Sequence, residues 1–224
     1  MLGGAGAIAA LLHLADPLDL PRARASAIAL GAHLTQTARR NPIGWSWPSA
    51  TKLTTRDLLG FAHGASGCGH ALLELYAATG YAWARYGTEQ AFAYEAQFFD
   101  AETGNWPDFR VAGLGGAFHV PMRTAALRQR LISGDTMPAP AARYNWGWCH
   151  GAPGIGLARL RAYTLLGDQQ YAEEARLAAE STMLALAKEI TNYSLCHGAF
   201  GNSELLIAMS HAFEFPRMRE LADE

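Results

Sequence analysis

The stretch Trp148-Cys149-His150-Gly151-Ala152-Pro153-Gly154-Ile155-Gly156 decides how this chain is read. Glycines flank the dipeptide Ala152-Pro153, and an apolar run to Leu166 follows. Glycine allows a tight turn and a close approach of neighbouring backbone. Proline early in the run suits the first turn of a helix. The unit recurs. Cys196-His197-Gly198-Ala199-Phe200-Gly201 precedes the apolar run Asn202–Ser210, and His63-Gly64-Ala65-Ser66-Gly67 precedes Cys68–Ala78. A barer copy, Gly3-Gly4-Ala5-Gly6, precedes Ala7–Leu14.

A turn that recurs before apolar helices is the mark of a repeat architecture. Gly67–Ala78 carries one carboxylate, Glu74. A helix with so little polar face is buried on several sides. The intervening segments are amphipathic. Asp19–Arg40 has Pro21 in its first turn. Thr88–Asp100 has Thr88 placed to cap it. In Gln169–Ile190 the residues Ala172, Ala175, Ala179, Met183, Leu186 and Ile190 recur at spacings of three and four. No stretch of period-two alternation stands out. The pattern predicts an all-α fold, an (α/α) barrel or toroid of inner and outer helices. Segment 101–145 interrupts it with Gly- and Pro-rich stretches around a short helix at Thr124–Leu131, read as an excursion within one domain.

Composition narrows the function. The chain has 224 residues and a net charge of -2, with scattered basic residues, so no nucleic-acid footprint is expected. The apolar run 1–15 lacks a basic flank and is too short to span a bilayer. A cytoplasmic location without a transmembrane segment is the expectation. Three cysteines do not make a disulfide framework and favour metal or catalytic use.

The donors sit in the turns. Thiolate and imidazole are the preferred zinc ligands. Cys149 and Cys196 are 47 residues apart, so any shared site is built by tertiary structure. Cys149, Cys196 and His197 as three ligands leave the fourth position open, the mark of a catalytic zinc. His150 as a fourth ligand would close the site into a structural one. His63 occupies the matching place in its own turn, where an imidazole suits acid–base work near neutrality. His13, His33, His70, His119 and His211 are read as packing or surface residues, and Cys68 as a small buried apolar group.

Gly60–Gly67, Trp148–Gly156 and Leu195–Gly198 resemble the motifs of the LanC-like lanthionine cyclases. Gly104-Asn105-Trp106-Pro107-Asp108, within Glu95–Arg110, resembles the linker before the second motif. The combination is most similar to the C-terminal cyclase domain of class II, LanM-type, lanthipeptide synthetases, over most of residues 3–210. The resemblance implies a double ring of helices and Zn2+ held by Cys149, Cys196 and His197, with His63 as the acid–base residue. The implied reaction adds a cysteine thiol of a precursor peptide to dehydroalanine or dehydrobutyrine, giving a thioether ring. A dehydratase domain or protein is the implied companion. The chain departs from the family in three ways. The acid expected in an upstream motif has no counterpart, and a further glycine turn and helix after Cys196-His197 is missing. Where some members carry arginine four residues before the first zinc cysteine, this chain has Asn145, with Arg143 nearest. Residues 1–224 are therefore expected to form a toroid partial at both ends. A non-catalytic zinc- and peptide-binding module is the alternative. A glycosidase is disfavoured, because it needs two facing carboxylates.

Overall fold

A computed structural model describes residues 3–15, 17–49, 54, 56–110, 143–187 and 192–213. The elements are α1 (Gly3–Ala15), α2 (Pro21–Thr37), β1 (Arg39–Asn41), β2 (Gly44–Ser46), α3 (Ala65–Thr79), α4 (Ala82–Ala96), α5 (Ala152–Leu166), α6 (Gln169–Leu186) and α7 (Ala199–Ala212). The expected Thr124–Leu131 helix, the Gly- and Pro-rich stretches around it, His119 and Ile190 lie outside the described residues.

The odd-numbered helices form an inner row. α1 packs on α3, α3 on α5, and α5 on α7. Each even-numbered helix packs against the inner helix before it, and α6 also against α7. α5 is apolar nearly all round because neighbours surround it: Ile155, Ala158 and Ala162 are fully buried. Full burial of a side chain such as Ile155 is worth about 1.5–3 kcal/mol.

Glycine and a short polar residue separate α5 from α6. Gly167 ends α5 in the left-handed region at φ 72°, and Asp168 caps α6 by accepting the Gln170 N–H. Three inner helices start one residue after a glycine: Gly64, Gly151 and Gly198 are their N-caps. Gly3–Gly6 differ, because they lie inside the first turns of α1 rather than in a turn before it.

Two further expectations are corrected. Thr88 does not cap a helix. α4 begins at Ala82, and Thr88 is buried inside it, donating to the Gly69 carbonyl at 3.0 Å. Close approach explains this. A methyl at Gly69 would strike Phe92, and one at Gly87 would press on Leu72, so two glycines bring α3 and α4 near enough for a hydroxyl to bridge them. The second correction is a small antiparallel hairpin in which Arg39 pairs with Ser46 and Asn41 with Gly44. β2 is buried against α4. No described helix is long and apolar enough to cross a membrane.

Candidate metal centre

The three glycine turns meet at one end of the inner row. Backbone bonds fasten them in series. Ala62 N–H donates to the Cys149 carbonyl at 3.1 Å, and Cys149 N–H donates to the Cys196 carbonyl at 3.0 Å. Residues 134 positions apart in sequence, such as His63 and His197, thus belong to one rim.

Cys149, Cys196 and His197 come together there. One donor atom from each lies within 4.8 Å of the others. Cys149 is buried, whereas Cys196 and His197 are exposed. Tetrahedral bonds of about 2.0–2.3 Å put zinc donors about 3.3–3.8 Å apart. The two exposed side chains have room to close the remaining distance. Two sulfurs and one imidazole are a donor set that suits zinc, so these residues fit the ion that the sequence implies. Burial pushes the Cys149 thiol up to about 12, and the adjacent Cys196 thiol adds to this, against the pull of Arg110. A divalent cation would reverse that balance and favour the thiolates.

His150 is not in the donor cluster. Its ring stacks on His63 with centroids 5.2 Å apart and planes 16° from parallel. It is buried, and its Nε2 has no hydrogen-bond partner. Burial, aided by the Arg110 charge, lowers His150 to about 4, so the ring is neutral near pH 7. His63 is exposed on the rim. Partial desolvation lowers its pKa, and the Arg110 charge acts in the same direction.

Asparagines hold the turn that carries Cys149. Gly151 has no side chain to cap α5. Buried Asn105 does so from another segment, accepting the Ala152 N–H at 2.8 Å, while its amide donates to the Asn145 carbonyl at 3.2 Å. Asn202 on α7 donates to the Trp146 carbonyl at 2.6 Å. Under the His63 turn lies a fully buried ion pair. Arg159 of α5 meets Glu95 of α4 at 3.0 Å. Glu95 also accepts the Gly60 N–H at 2.7 Å and the Ser66 hydroxyl.

The remaining rim residues are Asp108 and Arg110. The Arg110 Nε and Nη2 bind the Asp108 carboxylate, and the Asp108 N–H donates to the Arg143 carbonyl at 2.6 Å. Sequence reasoning placed both within Glu95–Arg110, with Asp108 closing the quoted Gly104–Asp108 stretch, but gave neither a role, because the segment has no helical periodicity. The one available signal is the Asp-x-Arg spacing, which lets a carboxylate and a guanidinium reach each other along an extended chain.

The Lanthionine synthetase C-like protein family model matches residues 1–224. The chain belongs to that family. Among curated relatives of this LanC-like chain is Glutathione S-transferase LANCL1 of Danio rerio. It is 35% identical over 71 residues, which are 31% of this chain and 17% of that protein. Among solved structures, nisin cyclase superposes with a TM-score of 0.64 at 17% identity. That match covers 98% of this chain and 52% of nisin cyclase. The LanC-like chain thus shares the helical toroid fold and spans about half the length of nisin cyclase.

Proposed function

We propose that this chain is the cyclase part of a lanthionine synthetase, acting on a dehydrated precursor peptide as one LanC-like domain over residues 1–224. Cys149, Cys196 and His197 would hold Zn2+, and His63 would be the acid–base residue. One observation carries the reading. Three donors converge while two further imidazoles stand outside the donor set, so a four-coordinate ion held by the three would keep one position for substrate, with His63 at hand for proton transfer.

A zinc ion held there supplies Lewis-acid activation that keeps a substrate thiol deprotonated near neutral pH. The protein's own residues do the rest. A neutral His63 takes up the proton released from the cysteine sulfur. The sulfur bonds to the β-carbon of the dehydro residue, and the double-bond electrons move toward its carbonyl oxygen. His63 then returns the proton to the α-carbon. Stacking on His150 fixes the plane of the His63 ring during both transfers. The net change is addition of S–H across the carbon–carbon double bond. The Trp148–Gly154 segment supports a class II setting, with a dehydratase domain or protein as companion.

The similarity to Glutathione S-transferase LANCL1 favours a second reading, in which glutathione is the thiol donor. One experiment tests both. The purified protein is assayed for zinc and for thioether formation by mass spectrometry. Dehydrated cysteine-containing peptides are supplied alone and with glutathione. Wild type is expected to hold about one zinc per chain, the occupancy of a single three-ligand site, and to close rings without glutathione. His63→Ala keeps the zinc and loses ring closure, and Cys196→Ala loses the zinc. Wild-type zinc content in Cys196→Ala would sink the ligand assignment. Glutathione adducts in place of rings favour the second reading. Zinc and peptide binding without any thioether leave a non-catalytic module.

A further inference from the structure

A metal centre binds its ion most tightly when the protein holds the donors near their final geometry beforehand. Here the donors come from two turns 47 residues apart, Cys149 in one and Cys196-His197 in the other. One donor atom from each residue already lies within 4.8 Å of the others. The Cys149 N–H to Cys196 carbonyl bond is one tie between the turns, and a single tie permits pivoting. Close approach makes a pivot matter. A methyl on Gly147 would come within 3.2 Å of the His197 Cβ.

Two buried amides supply further ties. They grip successive carbonyls just before Cys149. The Asn105 Nδ2 donates to the Asn145 carbonyl at 3.2 Å, and the Asn202 Nδ2 donates to the Trp146 carbonyl at 2.6 Å. The Asn105 Oδ1 also accepts the Ala152 N–H at 2.8 Å, so one side chain holds both ends of loop 145–152. Asn202 reaches the loop from another element. It lies on α7, the helix that begins directly after Cys196-His197-Gly198. It thus links the helix that follows the second donor turn to the backbone of the first.

Asn202 also breaks the pattern of its repeat. The residue after the second glycine of the motif is Ile155 in α5 and Cys68 in α3, both apolar, but Asn202 in α7. Asn202 is buried, and its Oδ1 has no hydrogen-bond partner. Burying an unpaired acceptor is unfavourable, and an apolar side chain would avoid that cost. What the asparagine provides in return is the bond to Trp146.

Resting on the zinc-site reading above, we infer that Asn105 and Asn202 are positioning residues of the metal centre. Their amides fix the Cys149 turn against the Cys196-His197 turn and so set the donor spacing before Zn2+ binds. Neither amide is a ligand.

The test measures Zn2+ affinity of the full chain by chelator competition. The absorption spectrum with Co2+ in place of Zn2+ reports coordination geometry. Asn202→Leu restores the apolar character that Ile155 has in its repeat and loses the grip on Trp146. Asn105→Asp keeps the acceptor for the Ala152 N–H and loses the donor. Each is expected to weaken Zn2+ binding about 10–100-fold, the usual cost of removing a group that orients metal ligands, and to alter the Co2+ bands. Asp168→Ala is the control. It removes the cap of α6, at the far end of α5 from Cys149, and should lower the melting temperature with Zn2+ affinity unchanged. Wild-type affinity in either asparagine variant removes that residue from the role. In both, it overturns the inference and leaves the ligand assignment standing. An equal loss in Asp168→Ala also overturns it, because the affinity would then follow stability alone. Misfolding of one variant leaves the other to decide, and misfolding of both makes the amides folding residues and overturns the inference. A wild type that binds no Zn2+ overturns the ligand assignment and this inference with it.

Discussion

Removing Glu95 is the most informative single perturbation of the scaffold. Glu95 and Arg159 are both fully buried, 3.0 Å apart. The Arg159 guanidinium also lies 3.8 Å from the Phe92 ring centroid and contacts Glu174. Glu95→Ala strips the cation of one of two carboxylates and leaves the Gly60 N–H without its acceptor. Breaking a buried pair by deleting one partner costs about 3–5 kcal/mol, mostly from the uncompensated charge. The remaining Glu174 contact argues for the lower half of that range, about 3–4 kcal/mol. A domain is stable by only about 5–15 kcal/mol. With a urea slope of about 2 kcal/mol/M, the midpoint should fall by about 1.5–2 M. Urea titration followed by circular dichroism and tryptophan fluorescence reads the shift. The double variant Glu95→Leu/Arg159→Met should recover part of the loss, because apolar replacement removes both buried charges, and should still fall about 1–3 kcal/mol short of wild type because the Gly60 N–H stays without its acceptor. A Glu95→Ala midpoint within about 0.5 M of wild type, a loss of about 1 kcal/mol or less, would show that the pair does not anchor the His63 turn.

Two further outcomes follow from the geometry. Gly151 has φ 120°, and an added methyl would land on the Asn145 carbonyl oxygen, whereas Gly167, at φ 72°, faces open space. Gly167→Ala should therefore cost only the left-handed penalty of about 1–2 kcal/mol. Gly151→Ala should cost more and also displace Cys149, lowering zinc affinity at least about tenfold, in the range expected for loss of supporting geometry. Thermal melts and a competitive zinc titration separate the two, and equal effects on zinc would refute the argument. Glu74 gives a pH dependence. Burial pushes its carboxyl up, but the hydrogen bonds from Arg161 and the His70 charge outweigh burial and hold it below the usual range. A pKa depressed in the folded state adds stability above the unfolded pKa, and that stability is lost as pH falls through the folded one. The melting temperature of Glu74→Gln should fall less steeply than that of wild type between about pH 5 and pH 3. Parallel curves would remove Glu74 from the account of acid lability.

The inner helices were legible because glycine marks their starts. Gly64 and the pairs Gly151/Gly154 and Gly198/Gly201 are demanded by carbonyls folded close over the helix start, so the motif records a steric fact. The donor cluster was legible for the same reason, since its residues ride in those turns. The division between His150 and His197 was not. Both follow a cysteine and precede a glycine, yet His197 is exposed and joins the cluster, while His150 is buried against His63. Identical local sequence reaches opposite outcomes because the Cys149 N–H to Cys196 carbonyl bond sets one turn beneath the other. Three-residue strands are too short to display a period of two, which hid the hairpin. Thr88 was misplaced because its capping chemistry is used across helices instead.

The rim is therefore made of two kinds of part. The repeated turns supply the candidate metal donors and the histidines, and backbone bonds join consecutive turns. Such a frame tolerates change in side chains that point away from it, because its dimensions do not depend on them. The 105–110 segment belongs to no repeat. It is fixed to the frame by Asn105, which caps α5, and by the bridge at Tyr144. It brings the carboxylate and the guanidinium that the turns lack. A repeat-built site must hold its donors at fixed distances whatever the substrate. In this chain Asp108 and Arg110 are the paired charges that this segment sets beside the repeated turns.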